Sequence, residues 1–151
     1  MIELIEGITT ERLYELYSDP YITKIGHDHR PAYPVFDQTA TYLSAFVDGK
    51  FAGAFLAIKS SFIEYDLHAL LKKSHIKQSR DLGRAFLLWA FAHPIERVTA
   101  YIIEGLGSAA NYCRKLGFVD EGVRRNACIQ NGIKKNVYIL GMTREDWEVL
   151  A

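Results

Sequence analysis

The sequence has few cysteines and no surplus of charge of either sign. Its 151 residues include two cysteines, Cys113 and Cys128, whose spacing fits neither a disulfide framework nor a zinc motif. We therefore expect a reducing compartment and no metal. Lys plus Arg and Asp plus Glu both number 18, so the formal net charge is zero. Because no overall field attracts polyanions, we expect no nucleic-acid partner, and any anion site must be a local cluster of cations.

Long apolar runs are also missing. No run approaches the roughly 20 residues that span a bilayer, and the start, Met1-Ile2-Glu3-Leu4, lacks a basic region and a cleavable apolar core. We therefore expect no membrane partner and a cytoplasmic protein. The composition is 49% hydrophobic and 13% aromatic, which is enough to build the core of a single domain over residues 1–151.

Apolar periodicity predicts strands and helices in the order β-α-α-β-β-β-α-β-α-β-β. Residues 62–70 alternate with period two, which predicts a strand that carries Glu64, Asp66 and His68 on one face. Residues 82–91 are so densely apolar that we expect a largely buried helix. Further along the chain, Ser108 is expected to cap a helix that ends at Gly117, and Asn131-Gly132 predicts a hairpin turn.

The hexapeptide Arg80-Asp81-Leu82-Gly83-Arg84-Ala85 lies where a polar segment becomes this buried helix. The first turn of a helix presents unpaired N–H groups and the positive end of the macrodipole, which together favour an anion. Gly83 and Ala85 lack bulk, so we expect a phosphate to approach the backbone there. The alternative is an ordinary helix start behind a solvated basic segment. Five cations crowd this approach: Lys72, Lys73, Lys77, Arg80 and Arg84.

The hexapeptide resembles the acetyl-coenzyme A motif of the GCN5-related N-acetyltransferases, R/Q-x-x-G-x-G/A. Arg80, Gly83 and Ala85 stand at its three defined positions. The helix that ends in Lys-Leu-Gly-Phe at Phe118 is similar to a late helix of that superfamily. The Asn131-Gly132 hairpin and the closing Gly-Met-Thr-Arg-Glu-Asp-Trp are similar to the branch that acetylates ribosomal-protein termini. The resemblance covers nearly the whole chain.

The resemblance implies a mixed α/β (α+β) fold, with a central, mostly antiparallel sheet of about seven strands flanked by helices. It also implies that strands four and five diverge after a shared stretch and admit acetyl-CoA or another acyl-CoA. The pantetheine arm would pair with the backbone of Ala69, Leu70 and Leu71. The diphosphate would bind at the helix start, at Arg80, Leu82, Gly83, Arg84 and Ala85.

Acetyl transfer to an amine requires a base for the amine and stabilisation of the developing oxyanion. The candidate bases are His68, Glu64 and Asp66 on the polar face of the predicted fourth strand. His68 is attractive because its unperturbed pKa is about 6.5. The alternative is that this face points to water or pairs with neighbouring groups.

His27-Asp28-His29 lies in the loop where this superfamily usually frames the acceptor, so we expect His27, His29 and Tyr33 to line an acceptor pocket. Two histidines without a third ligand make a poor metal site. Polar residues that fix the loop are the plainer interpretation. No residue of the loop specifies a chemical group, so the amine acceptor stays open.

Two departures from the superfamily bear on turnover. Cys113 stands where a tyrosine often supplies the acid for the departing thiolate, and Leu106 stands where an asparagine is common. The main hypothesis is an N-acyltransferase that acts on a protein or a small molecule. One alternative is a coenzyme A-binding regulator. The segments Ser18-Asp19-Pro20-Tyr21-Ile22-Thr23 and Ile25-Gly26-His27-Asp28-His29-Arg30-Pro31 also resemble acetyltransferase-like proteins encoded among the head-assembly genes of short-tailed bacteriophages, so the other alternative is a catalytically silent protein of phage head assembly. In the phage case we expect the host cytoplasm and an assembly partner, and the last hairpin could form a homodimer.

Overall fold

The structure, a computed structural model, describes residues 1–28 and 38–150. One seven-stranded sheet runs in the spatial order β1-β2-β3-β4-β5-β7-β6. All neighbouring strands are antiparallel except β4 and β5, which are parallel. The strands are β1 (Ile2–Glu6), β2 (Ala40–Val47), β3 (Lys50–Ser61), β4 (Glu64–Leu71), β5 (Arg97–Ile103), β6 (Val119–Gln130) and β7 (Ile133–Thr143).

Helices cover both faces of the sheet. They are α1 (Thr10–Tyr17), α2 (Pro20–Thr23), α3 (Ser79–Phe91), α4 (Gly107–Leu116) and α5 (Arg144–Leu150), and a 3-10 helix (Lys73–Gln78) precedes α3. The predicted order of elements and the predicted sheet are therefore confirmed. The 3-10 helix was not predicted, because its polar sequence carries no apolar periodicity.

The larger core lies between the sheet and α3, α4 and α5, on what we call the α3–α4 face. Phe86 is fully buried there and stacks on Phe55 of β3 at 5.1 Å between ring centroids. Trp147 of α5 stacks on Phe91 at 5.8 Å. A smaller core joins α1 and α2 to the opposite face of β2, β3 and β4, which we call the α1–α2 face.

The helix ends follow their capping residues, with one exception. Thr9 caps α1 by accepting a hydrogen bond from the Arg12 N–H. Gly117 ends α4 with φ of +109°, a left-handed conformation that suits glycine. The prediction that Ser108 caps α4 is wrong. The helix already begins at Gly107, and Leu106 stands at the cap position without a side-chain hydrogen bond.

Across the described ranges, none of the helices combines the length and the apolar character that crossing a membrane requires.

Candidate functional site

Strands β4 and β5 separate in the middle of the sheet. They pair at three positions only, Glu64 with Arg97, Tyr65 with Val98 and Asp66 with Thr99. Beyond that point β4 continues along β3, and β5 continues along β7. The predicted divergence is therefore confirmed. We call the gap between residues 67–71 of β4 and 100–103 of β5 the fork.

The three candidate bases share the α1–α2 face of β4, as the period-two pattern predicted. All three side chains are partly buried. His68 is the first of them beyond the last pair with β5, so it lies at the fork, and its neighbour in register on β3 is Leu56. Glu64 and Asp66 lie within the paired stretch.

Glu64 is engaged by two side chains of β5. The Thr99 hydroxyl donates a hydrogen bond to its carboxylate, and Arg97 Nε lies 3.3 Å from the same oxygen. Arg97 also binds both carboxylate oxygens of Glu121 on β6, and these contacts raise the pKa of the guanidinium. Glu64 therefore helps to hold β4, β5 and β6 together, which makes it the weakest base candidate of the three.

Asp66 has a different environment. Its carboxylate accepts a hydrogen bond of 3.1 Å from the Ser60 hydroxyl. Burial raises the pKa of Asp66 above its ordinary value, and the nearby charge of Glu64 adds to that effect. Within residues 1–28 and 38–150 this carboxylate makes no ion pair. A carboxylate with a raised pKa is a better proton acceptor than an ordinary one.

Arg97, Thr99 and Tyr101 were not among the predicted site residues. They share the α1–α2 face of β5, whereas Val98 and Ala100 are buried on the opposite face. The alternation of residues 97–103 was the available signal, since it predicts that these three side chains leave the core together. Tyr101 is the first of them beyond the last pair with β4, so it stands across the fork from His68.

The start of α3 carries no side-chain cap. Gln78 stands at the cap position and makes no side-chain hydrogen bond there, while the Ser79 N–H donates to the Ile76 carbonyl of the 3-10 helix. Arg80 and Arg84 are exposed, and Leu82 is fully buried, so only its backbone faces the helix start. The assignment of cofactor contacts to Arg80 and to residues 82–85 stays a prediction.

The reason given for Gly83 needs correction. A side-chain carbon at Gly83 would meet the Tyr112 hydroxyl and would lie 2.7 Å from Leu116 Cδ1. The missing side chain therefore allows α3 to approach α4 closely, and it does not open space for a phosphate. Lys72 also differs from expectation, because it pairs with Glu15 of α1 at 2.8 Å.

Helix α4 offers no acid at the position where Cys113 stands. The Tyr112 hydroxyl donates a hydrogen bond of 2.8 Å to the Ser79 carbonyl, which ties α4 to the start of α3, and burial raises its pKa. Cys113 is buried on the same side, and burial raises the pKa of its thiol to about 11. Both residues are thus structural, as expected of a buried stripe.

The start of the predicted acceptor loop, up to Asp28, is docked on the β6–β7 hairpin. The Asp28 carboxylate accepts hydrogen bonds from the N–H groups of Asn131 and Gly132, at 2.9 and 2.8 Å. The Gln130 side chain donates to the carbonyls of Lys24 and Gly26. Asp28 therefore fixes the loop, which agrees with the plainer interpretation.

His27 lines a cavity of about 450 Å³ between this loop, the hairpin and Leu106. His29 and Tyr33 lie outside the described residues. No group of three residues suited to a metal occurs in the part of the chain that the structure describes.

Known structures share this architecture. A spermidine N-acetyltransferase from Vibrio cholerae, solved with CoA and spermine, superposes with a TM-score of 0.83 at 13% identity, over 97% of this chain and 98% of that one. A candidate phosphinothricin N-acetyltransferase gives 0.75 at 14% identity, over 95% and 98%. A candidate acetyltransferase from Acinetobacter baylyi gives 0.76 at 14% identity, over 96% and 94%.

No family model matches the sequence, and no curated protein matches it. At these low identities the likeness concerns the fold alone, and it extends over almost the whole of both chains in each comparison. The chain is therefore built on the fold of the GCN5-related N-acetyltransferases.

Proposed function

We propose that the protein is an N-acyltransferase that transfers the acetyl group of acetyl-CoA, or the acyl group of another acyl-CoA, to an amine of a protein or a small molecule. The observation that carries this proposal is the fork, which brings His68 and Asp66 to an opening between two parallel strands. The structural likeness to acetyltransferases, one of which contains CoA, supports it.

The fork suits the pantetheine arm. The ladder between β4 and β5 ends at Asp66, so the edge of β4 at Ala69, Leu70 and Leu71 no longer faces a strand. An extended ligand with amide groups can pair with such an edge. From there the diphosphate would reach the start of α3, where the helix lacks a side-chain cap and carries Arg80 and Arg84.

The chemistry is a nucleophilic substitution at the thioester carbon. The amine nitrogen forms a bond to that carbon, the bond from carbon to sulfur breaks, and the electron pair leaves with sulfur. The amine must lose one proton, which His68 or Asp66 accepts at the fork, and the thiolate gains one from solvent. The products are an N-acyl amine and coenzyme A.

Two measurements test the proposal. Acetyl-CoA at 100 times its dissociation constant should stabilise the fold by about 2.7 kcal/mol and raise the melting temperature by roughly 5–10 °C. Release of the coenzyme A thiol with a panel of amines then separates an enzyme from a binder. No melting shift at millimolar acetyl-CoA would contradict the cofactor assignment.

Charge reversal at the start of α3 locates the diphosphate. Arg80→Glu and Arg84→Glu should each weaken acetyl-CoA binding about 10-fold or more, because a lost charge-assisted contact costs about 1.5–3 kcal/mol. Arg125→Glu, at an exposed arginine of β6, is the matched control and should bind normally. Equal effects in all three variants would show only a general response to charge. Gly83→Glu is a poor test, since it would strike Tyr112 and Leu116.

Substitutions on β4 test the base. His68→Ala should slow transfer about 100-fold or more and leave acetyl-CoA binding unchanged, as expected for loss of a general base. If Asp66→Asn gives that result and His68→Ala does not, Asp66 is the base. Cofactor binding without thiol release with any amine would favour the silent alternatives, a regulator or a phage assembly protein.

A further inference from the structure

We propose that Tyr101 is an acceptor-binding residue, whose ring holds the positively charged amine group of the acceptor at the fork opposite Asp66. This inference rests on the proposed function and narrows it, because it makes the acceptor a cationic amine that enters from the α1–α2 face. No other large aromatic side chain of β4 or β5 lies on this face.

Tyr101 lies at the opening of the fork. Thr99 is the last residue of β5 that pairs with β4, and Tyr101 is the next one on the same face. His68 holds the equivalent place on β4, two residues after Asp66. Side chains that alternate along a strand leave the same face, so Tyr101 and His68 flank the opening of the fork. The neighbour of Tyr101 on the other side, in register on β7, is Ile139.

Tyr101 is also exposed. It lies on β5 in the middle of the sheet, where it pairs with β7 on one side and borders the fork on the other, and 39% of it is exposed. The residues before and after it, Ala100 and Ile102, pack into the large core on the opposite face. Among the described residues, the core that α1 and α2 form with β2, β3 and β4 includes no residue of β5. The exposed part of the Tyr101 ring can therefore contact a ligand that enters the fork from this face.

The surroundings of Tyr101 are charged. Burial raises the pKa of its hydroxyl most, the charges of Asp66 and Glu64 raise that pKa further, and the charges of Arg124 and Arg97 lower it by less. Arg97 is already paired with two carboxylates, Glu64 and Glu121. The Asp66 carboxylate forms no ion pair of its own among the described residues, and the charge of Arg97 that acts on it is shared with these two carboxylates. A cationic amine between this carboxylate and the ring would gain from both.

The acceptor in this arrangement reaches His68 and Asp66 in its protonated form. The carboxylate and the ring stabilise the ammonium group, and His68 or Asp66 takes its first proton before attack. The nitrogen loses a second proton to solvent once the bond to carbon has formed, and solvent returns one proton to the thiolate. Tyr101 takes no proton in this scheme, so binding of the acceptor should depend on its ring and not on its hydroxyl. That distinction gives a direct test.

The test is steady-state transfer from acetyl-CoA to n-butylamine, 1,4-diaminobutane and a short peptide with a free α-amine. Tyr101→Leu should raise the KM for the amine about 5- to 30-fold, which corresponds to the loss of a partly desolvated cation–ring contact of about 1–2 kcal/mol. Tyr101→Phe keeps the ring and should stay within about twofold of the wild type. Tyr14→Leu, at a tyrosine of α1 that is 53% exposed, is the matched control.

Each outcome is decisive. Wild-type protein that binds no acetyl-CoA or acetylates none of the amines would refute the proposed function, and this inference with it. Active protein in which Tyr101→Leu leaves the KM unchanged would overturn the inference alone. An equal loss in Tyr101→Phe would also overturn it, because it would assign the role to the hydroxyl. The melting temperature and the acetyl-CoA affinity of each variant show that its fold is intact.

Discussion

The two faces of β4 hold their side chains in different ways. On the α3–α4 face Tyr65 and Leu67 are buried, and the Tyr65 ring stacks on Trp89 at 5.6 Å. On the α1–α2 face Glu64 is fixed by a hydrogen bond from Thr99 and an ion pair with Arg97, and Asp66 by a hydrogen bond from Ser60. Apolar packing spreads its free energy over many contacts, whereas each polar contact depends on one partner and one geometry. The first face should therefore carry stability, and the second should carry binding and chemistry.

Truncation of one large side chain on each face is the strongest test of this division. Phe86→Ala removes a fully buried ring that stacks on Phe55, so the free energy of unfolding should fall by about 3–5 kcal/mol. Tyr101→Ala, on the α1–α2 face, should cost much less, since part of that ring is already in water. Urea unfolding of both variants checks the difference. Similar losses would contradict the division.

Alkaline pH tests the packing of the α3–α4 face, because the thiol of Cys113 is buried there. Burial raises the pKa of this thiol to about 11, so the unfolded chain, with an ordinary cysteine near 8.5, loses its proton first. The stabilisation is complete below about pH 8.5 and is lost as the pH rises towards 11. A rise of the pKa from about 8.5 to about 11 corresponds to about 3.4 kcal/mol at most.

The measurement is the free energy of unfolding from urea titrations between pH 8 and 11, compared with Cys113→Ala. The variant should lose less stability over this range than the wild type. The remaining loss belongs to groups that both proteins share, among them Tyr112, whose pKa burial also raises. Parallel curves for the two proteins would show that the thiol is not held in a dry environment.

The sequence predicted the α3–α4 face far better than the α1–α2 face, and the reason is physical. Apolar periodicity is a local signal, so it revealed the helix of Leu82 and Phe86 and the alternation of β4. The partners of Glu64 are 33 and 35 residues away in the chain, at Arg97 and Thr99. No local pattern links residues at that separation, because they meet only when the parallel pair of β4 and β5 forms.

The motif at the start of α3 shows the same limit. Arg80, Gly83 and Ala85 were identified by resemblance, and the physical reason given for Gly83 was wrong because Tyr112 and Leu116 occupy its side-chain direction. The short motif does not record that the later helix α4 packs at this point. The docking of Asp28 on the hairpin turn, more than 100 residues away, was equally hidden.

Gly141 and Gly83 allow the two faces to be compared by the addition of a single methyl group to each. Gly141 lies on β7 beneath the ion pair of Arg97 and Glu121, and a side-chain carbon there would meet both groups, with Glu121 Cδ at 2.6 Å. These are the ends of flexible, partly exposed side chains, so they can move aside. Gly83→Ala, by contrast, would press on a buried hydroxyl and a buried leucine. We expect Gly141→Ala to cost about 1 kcal/mol or less, and Gly83→Ala about 1–3 kcal/mol.

The rate of acyl transfer should respond to these two substitutions in the opposite way to the melting temperature. Gly141→Ala displaces Arg97 from Glu64 and so changes the charge beside Asp66, which should alter the rate of acyl transfer while the melting temperature hardly moves. Gly83→Ala should lower the melting temperature first. Thiol-release rates and melting curves of the two variants, measured side by side, check this reversal. If Gly141→Ala destabilises the fold more than Gly83→Ala does, the ion pair is a structural element, and the α1–α2 face carries stability as well.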